Sequence, residues 1–259
     1  MGRIMTALKS FVLAFSMYSR IPMLHVRLEE KDMKYIFGFF PLVGAVIGAL
    51  ASGWLLLADR LGTGTITAVC AEIGILLLIT GGIHTDGYMD TMDAVHSYGD
   101  RQKKLEILKD SHIGAFAVIM LLVYIMFEAA ALAQIYETKN LKYIILTGFV
   151  FYLSRIASAA AAVNFKAAKS DGMLRLAASG ADKRTVNVML CFHFAVCMAG
   201  MAAVKPAAGA VLVFVQLAVF IYYRLWSCKS FGGVTGDLAG WFLCVSELCQ
   251  IIVLAVMCL

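Results

Sequence analysis

The run GAFAVIMLLVYIMFEAAALAQ at residues 114–134 decides the fold class, because it holds a single charged residue, Glu128, among long apolar side chains. A helix needs about 20 such residues to cross the hydrocarbon core of a bilayer. The apolar residues do not alternate with polar ones, as they would in a half-exposed strand. Because a chain in lipid must satisfy its own backbone hydrogen bonds, the run predicts a transmembrane α-helix.

Similar apolar runs recur along the whole chain. The 259 residues are 61% hydrophobic and only 15% charged, which is too little charge to cover the surface of a soluble domain. The sequence therefore predicts an all-α integral membrane protein, a single membrane domain over residues 1–259 with its transmembrane bundle at 35–259. We predict seven spans, at residues 36–57, 64–83, 114–134, 143–163, 186–204, 207–226 and 240–259.

Residues 1–34 precede the bundle and contain a short amphipathic stretch. Ile4, Leu8, Phe11 and Phe15 recur at helical spacing among polar residues. The stretch is too short and too mixed to span, so we predict an amphipathic helix lying on the membrane surface. A helix packed on the bundle, as in a soluble protein, has the same pattern.

Cysteine and charge usage exclude two other kinds of protein. The seven cysteines form no CxxC motif and no Cys/His cluster, so we predict neither a disulfide scaffold nor a zinc site. The basic residues form no separate arm and no aromatic-basic repeat, so nucleic acid is not an expected partner.

Basic residues are distributed unevenly between the two sides of the predicted bundle. Most of the 22 lysines and arginines precede the first span or lie in the even-numbered loops. The other side has only Arg60, Lys139, Lys142 and Lys205. Because cytoplasmic loops are enriched in Lys and Arg, this asymmetry predicts a cytoplasmic N-terminus and an external C-terminus.

The residues GGIHTDGYMDTMD at 81–93, where the second predicted span ends, carry the strongest chemical signal. Asp86, Asp90 and Asp93 are spaced i, i+4, i+7 and share one helix face. Carboxylates so close repel one another unless a cation lies between them. Oxygen ligands at a membrane surface suit Mg²⁺ completed by substrate phosphates and water. The alternatives are a solvated helix start for the aspartates and, for His84, a capping residue instead of a general base or phosphate contact.

A second glycine-rich element, FGGVTGD at residues 231–237, opens the last span and echoes the Gly-Gly-apolar-x-x-Asp order of residues 81–86. Glycine turns and helix N-termini bring backbone N–H groups close to anionic oxygens. A flexible glycine hinge between helices is the alternative. The predicted phosphate contacts of the two elements are Gly81, Gly82, Gly232, Gly233, Thr235 and Gly236.

Two further groups of charged residues are candidates. Lys109 and His112 lie in the segment EILKDSHIGAF at 106–116, and Lys104 lies just before it. All three are suited to neutralise phosphate, although the lysines fit a positive-inside signal equally well. Arg155 lies well inside a predicted span, where an unpaired charge is costly. Its expected partner is a substrate diphosphate or an intramembrane glutamate such as Glu247.

Together these blocks resemble the cobalamin synthase family, the adenosylcobinamide-GDP ribazoletransferases of bacteria and archaea. The resemblance covers nearly the whole chain, from the first span to the last. The blocks that carry it are FPLVG at 40–44 with Gly48, GGxHxDGxxDTxD at 81–93, KDSHxG at 109–114 and GGxTGD at 232–237.

The resemblance implies an Mg²⁺-dependent enzyme of the cell membrane, with its active site on the cytoplasmic side. α-Ribazole or its 5′-phosphate would attack the cobinamide-linked phosphorus of adenosylcobinamide-GDP, releasing GMP and forming adenosylcobalamin or its phosphate. The implied metal ligands are Asp86, Asp90, Asp93 and Asp237. The implied catalytic residues are His84, Asp237 and Arg155. The implied substrate contacts are the six glycine-element residues above with Lys104, Lys109, Asp110, His112 and Arg155. The expected partners are both substrates and the lipid bilayer. A second copy of the chain and other cobalamin-assembly enzymes are further possible partners.

Two other functions stay open. A CDP-alcohol phosphotransferase or a prenyltransferase also uses aspartate-rich motifs at a membrane face, but each needs a second acidic group that this chain lacks. A cation-coupled transporter would use Glu72, Arg155 and Glu247 as an intramembrane relay. Against it, the predicted acidic cluster lies at the surface and not at the midplane.

Overall fold

The computed structural model of this chain describes residues 2–24, 29–110, 112–168 and 172–259, so Ser111 of the third motif lies outside the described residues. The described residues form eleven α-helices, with a short 3-10 helix, Glu30–Tyr35, between the first two. The α-helices are α1 Gly2–Tyr18, α2 Ile36–Arg60, α3 Thr65–Thr80, α4 Ile83–His96, α5 Arg101–Ile107, α6 Ala115–Glu137, α7 Leu141–Asn164, α8 Met173–Gly180, α9 Lys183–Val204, α10 Pro206–Phe231 and α11 Gly236–Val256.

Six segments of the described chain are long and apolar enough to cross a membrane, and they contain α2, α6, α7, α9, α10 and α11. A seventh span needs α3 together with α4, which follows it after a bend of 93°. α3 alone has 16 residues, about 24 Å at the rise of an α-helix, against a hydrocarbon core of about 30 Å. The predicted fold class, an all-α bundle of about seven spans with a short N-terminal helix, is confirmed.

α9 and α10 are separate helices that meet at Lys205. The backbone of Lys205 is extended, with φ of −159°, and Pro206 begins α10, where its missing N–H removes no helical hydrogen bond. A Cβ on Gly209 would lie 2.8 Å from Cβ of Met201. In one continuous helix these positions would be about 12 Å apart along the axis. The chain therefore folds back here, as the predicted spans 186–204 and 207–226 require.

α2 and α7 form the centre of the bundle and approach each other closely. A Cβ on Gly48 would lie 3.0 Å from Cα of Gly148, so these two positions require glycine. Between helices in lipid, close van der Waals packing at small residues replaces the hydrophobic driving force. α7 is the most enclosed of the six spans, with 72% of its most apolar segment buried.

The predicted N-terminal helix is present as α1. Its second half packs on α2 through Leu13, Ala14 and Phe15, which are buried. Its first half leaves Ile4 and Leu8 exposed, at 70% and 57%. α1 therefore combines both sequence interpretations, since one part packs on the bundle and the other presents an apolar face outward.

The described cysteines form no disulfide, and all seven are free. Cys197 and Cys244 lie in the core as small apolar residues, whereas Cys70 and Cys191 are exposed.

Candidate active site

Two glycines turn the chain sharply between α3 and α4. Gly81 ends α3 with φ of 63°, and Gly82 caps α4 with φ of 72°. Glycine adopts this left-handed conformation freely, whereas other residues pay about 1–2 kcal/mol. The sequence predicted that the acidic motif follows the second span, and the structure adds that it lies on a separate helix bent by 93°.

The backbone N–H groups of the two glycine pairs, Gly81-Gly82 and Gly232-Gly233, all donate hydrogen bonds to carbonyls at the ends of the preceding helices. Gly81 and Gly82 donate to Leu78 and Leu77 carbonyls, and the N–H groups of residues 232 and 233 donate to residues 228 and 227. The glycines therefore serve as turns in this structure, and the predicted phosphate contact through their N–H groups gains no support. Of the four, Gly81 and Gly82 line a cavity described below.

α4 crosses α11 at a pair of glycines, and this crossing brings the two predicted elements together. A Cβ on Gly87 would lie 2.8 Å from the carbonyl oxygen of Asp237. A Cβ on Gly240 would lie 2.7 Å from the carbonyl oxygen of His84. No larger residue fits at either position without separating the helices, so these glycines place Asp237 beside the first motif.

The predicted convergence of carboxylates is visible in the charge environment of Asp90, on α4 beyond the bend. Burial raises the pKa of Asp90 to about 6, and nearby negative charges add to the rise. Those charges belong to Asp86, Asp237 and Asp93. Four carboxylates of α4 and α11 thus share one electrostatic neighbourhood, which favours a cation.

The carboxylate of Asp93 caps α6. Its Oδ2 accepts a hydrogen bond from the N–H of Gly114 at 2.6 Å, and its Oδ1 accepts one from Ala117 at 2.8 Å. An acidic group satisfies the free N–H groups of a helix start and complements the helix dipole. The helix-face spacing did not reveal this partner, and a metal-binding role for Asp93 stays a prediction.

The second glycine element forms a short connection between α10 and α11. Gly232 ends α10 with φ of 80°, and Val234 exchanges backbone hydrogen bonds with residues 166 and 168. Thr235 caps α11 by accepting from the N–H of Leu238 at 3.2 Å, and its hydroxyl also donates to Asp237 at 3.3 Å. The element therefore orients Asp237 at the first turn of α11.

Two cavities meet at Asp86. The polar cavity, of about 710 Å³, is the more open and is lined by Arg20, Thr80, Gly81, Gly82, Thr85 and Asp86 among others. The apolar cavity, of about 210 Å³, is the more enclosed; its polar lining includes His84, Asp86, Ser158 and Asp237, and its apolar lining includes Tyr18, Phe37, Phe40, Ala162 and Leu243. Asp86 is exposed and lines both.

The donor set fits Mg²⁺ bound together with a substrate. Among the described residues, no three Asp, Glu, His or Cys side chains are arranged to hold a metal ion by themselves. Mg²⁺ does not need such a cage, because it is usually held by one or two carboxylates with water and substrate phosphates as the other ligands. Asp86 and Asp237 line the same cavity and offer only oxygen, the donor that Mg²⁺ prefers.

The sequence profile of cobalamin-5-phosphate synthase matches residues 10–257 of this chain. The chain belongs to that family. It is 40% identical to the adenosylcobinamide-GDP ribazoletransferase of Lachnoclostridium phytofermentans, over 93% of this chain and 91% of the relative. The enzyme of the same name from Geotalea daltonii is 30% identical over 95% and 96%, and that from Clostridium botulinum strain Alaska E43 is 28% identical over 93% and 94%. No solved structure matches the chain.

Arg155 lies outside both cavities that Asp86 lines, and it lines a smaller cavity together with His84 and Glu247. Its guanidinium is buried at 2% exposure and forms an ion pair with Glu247. Ser154 joins the pair by donating to Glu247 at 2.7 Å. The structure thus shows the glutamate partner that the sequence left as an alternative to a substrate diphosphate, and a direct catalytic role of Arg155 stays a prediction.

The loop residues predicted to bind phosphate also lie away from these cavities. Asp110 and His112 bond to each other at 2.6 Å, with side chains 54% and 90% exposed. Lys104 is half-buried on α5, and Lys109 is exposed just after that helix. None of the four lines either the polar or the apolar cavity, and their substrate contacts stay predictions.

Sequence reasoning missed Arg20, which it counted only as a topology signal. A Cβ on Gly81 would lie 2.5 Å from Nε of Arg20, so the side chain lies over the glycine corner. It lines the polar cavity with Asp86. Its position directly after α1 carried no chemical signal, because nothing along the chain shows that α1 ends beside residues 79–82.

Proposed function

We propose that this enzyme transfers the cobinamide-phosphate group of adenosylcobinamide-GDP to α-ribazole or its 5′-phosphate, with Mg²⁺ as cofactor. The names of its relatives contain both the GDP-linked corrinoid and ribazole. The observation that carries the proposal is the position of Asp86, which shares a charge environment with Asp90 and Asp237 and lines both cavities. A carboxylate at that junction suits a reaction that joins two substrates at one phosphorus.

In the proposed reaction, a hydroxyl of the acceptor forms a new P–O bond at the cobinamide-linked phosphorus. The bridging P–O bond breaks, and its electron pair leaves with GMP. The hydroxyl proton passes to a base, and Asp237 and His84 are the candidates because both line the apolar cavity. Mg²⁺ held by Asp86, Asp90 and Asp237 would offset the charge on the diphosphate. Positioning and charge compensation are the main contributions of proteins to phosphoryl transfer.

We place this site and the N-terminus on the cytoplasmic side of the cell membrane. The support is the excess of lysine and arginine before the first span and in the even-numbered loops, since such residues stay inside during insertion. The GDP-linked substrate then reaches the polar cavity from the compartment that holds nucleotides.

The direct test uses the protein purified in detergent with adenosylcobinamide-GDP, α-ribazole and Mg²⁺. We expect GMP release that stops on chelation and returns when Mg²⁺ is restored. Replacing α-ribazole by its 5′-phosphate at equal concentration identifies the preferred acceptor. Absence of GMP release by the wild-type protein with either acceptor contradicts the proposed function.

A pair of variants tests the place of Asp86. Asp86→Asn should lower turnover by about 100-fold or more, the range for losing one group that stabilises transition-state charge. The matched control is Asp59→Asn. Asp59 lies at the C-terminal end of α2 and forms an ion pair with Lys139 at 2.9 Å. The control should keep wild-type turnover. Full turnover in Asp86→Asn would remove Asp86 from the mechanism.

A further inference from the structure

We propose that the two substrates occupy separate cavities, the GDP-linked corrinoid binding through its diphosphate in the polar cavity and the acceptor placing its heteroaromatic base in the apolar cavity. This inference rests on the proposed function. In this arrangement Arg20 contacts the diphosphate. His84 and the wall formed by Tyr18 and Phe40 contact the acceptor.

The polar cavity suits a large anionic substrate. Its volume of about 710 Å³ lies in the range of about 300–1,000 Å³ usual for ligand pockets. Arg20 is held there through its backbone, whose N–H donates to the carbonyl of Ile79 at 2.6 Å. A guanidinium matches two phosphate oxygens at once. With Asp86 on the same cavity, a cation and Arg20 can neutralise the diphosphate from two sides.

The apolar cavity suits a small planar group. At about 210 Å³ it is below the usual range for a whole ligand, so it accepts part of one. Its aromatic wall includes Tyr18 and Phe40, whose ring centroids are 4.3 Å apart. A heteroaromatic base gains both burial and ring contacts against such a wall.

A buried polar atom at the apolar cavity supports the same occupant. The His84 side chain is only 9% exposed, and its Nε2 has no hydrogen-bond partner among the described residues. Buried polar groups are nearly always hydrogen-bonded to protein, water or ligand atoms, and His84 lies between the apolar cavity and a smaller cavity lined by Arg155 and Glu247. A ring nitrogen or ribose hydroxyl of the acceptor supplies that partner.

The chemistry explains why two cavities are needed. The attacking oxygen and the leaving oxygen lie on opposite sides of the phosphorus in phosphoryl transfer. An acceptor in one cavity and the GDP-linked substrate in the other approach the phosphorus from different directions. They meet at Asp86, which is on the wall of both cavities.

The test measures KM for each substrate separately in variants of each cavity. Arg20→Gln should raise KM for adenosylcobinamide-GDP by about 10-fold or more, the effect of losing hydrogen bonds to a charged group. It should leave KM for α-ribazole within about two-fold of wild type. Arg60→Gln, an exposed arginine at the far end of α2, is the matched control and should change neither constant.

Filling the apolar cavity should give the reciprocal result. Ala162→Leu adds a side chain to its wall and should raise KM for α-ribazole without changing KM for the GDP-linked substrate. An α-ribazole analogue with a smaller base should lose less affinity for this variant. If Ala162→Leu does not accumulate in the membrane, Ala239→Leu fills the same cavity from α11 and makes the same measurement.

The outcomes separate this inference from the function on which it rests. A wild-type protein that releases no GMP contradicts the function itself. An active wild-type protein whose Arg20 and cavity-filling variants change both constants equally, or change neither, overturns the two-cavity assignment. A rise of KM for the GDP-linked substrate alone in Arg20→Gln, with a rise of KM for α-ribazole alone in the cavity-filling variants, supports the assignment, and the reverse pattern overturns it.

Discussion

The substitution Asp93→Asn tests whether the Asp93 carboxylate serves to cap α6 or to bind a metal ion. The carboxylate accepts one hydrogen bond on each oxygen, from Gly114 and from Ala117. An asparagine side chain has a single acceptor oxygen and turns its NH₂ toward the other N–H donor. Ala117 is 1% exposed, so water does not replace the lost bond. One buried unpaired N–H costs about 1–3 kcal/mol, and the lost charge at the helix start adds about 0.3–1 kcal/mol.

The assay is thermal unfolding in detergent, followed by intrinsic fluorescence without Mg²⁺. We expect the Tm of Asp93→Asn to fall by several degrees, since 1 kcal/mol corresponds to about 2–4 °C in a domain of roughly this size. Gly114→Ala should also lower Tm, because the added Cβ would lie 2.5 Å from both carboxylate oxygens of Asp93. Asp86→Asn is the contrast and should keep or raise Tm, since it removes a negative charge that acts on Asp90.

Two results would refute the capping role. One is a wild-type Tm for Asp93→Asn together with the same loss of Mg²⁺-dependent turnover as in Asp86→Asn. The other is an equal fall of Tm in Asp93→Asn and Asp86→Asn, which would show that the method reports loss of charge and not loss of the helix cap.

Three further predictions follow from other parts of the bundle. Glu247→Gln should destabilise the protein by about 3–5 kcal/mol, because it leaves the Arg155 charge buried without its partner; a second change, Arg155→Met, should recover most of the lost Tm, and no recovery would contradict the pairing. Gly82→Ala should cost about 1–2 kcal/mol from its positive φ and lower turnover by displacing α4, whereas wild-type Tm and turnover would show that the corner tolerates a side chain. In a cysteine-free background, a cysteine at Asp100 should resist an impermeant reagent in intact cells while one at Lys139 reacts, and the reverse labelling would invert the proposed topology.

The spans could be predicted from sequence because a segment's preference for lipid depends mainly on its own side chains. An apolar run of about 20 residues satisfies its backbone as a helix wherever its neighbours lie. α6 begins at Ala115 and α10 at Pro206, each within a residue of the predicted start. The length of α3 is the exception, because the glycines that end it at Thr80 also fit a phosphate-binding turn or a hinge.

The shared helix face of Asp86, Asp90 and Asp93 could also be predicted from the sequence, since i, i+4 and i+7 positions lie on one side of a helix in any surroundings. Spacing does not tell which partner each side chain of that face meets. Asp90 meets other carboxylates, whereas Asp93 meets the start of α6.

Other parts of the site were decided by tertiary structure alone. Gly87 and Gly240 bring α4 against α11, and this crossing moves Asp237 beside a motif far from it in sequence. Arg155 finds Glu247, 92 residues away, as its partner, and α1 carries Arg20 to the glycine corner at Gly81. The physical reason is that a buried charge or an open cavity depends on atoms from several helices at once. The sequence therefore determined which residues are capable of the chemistry, and the packing of the helices decided which of them meet.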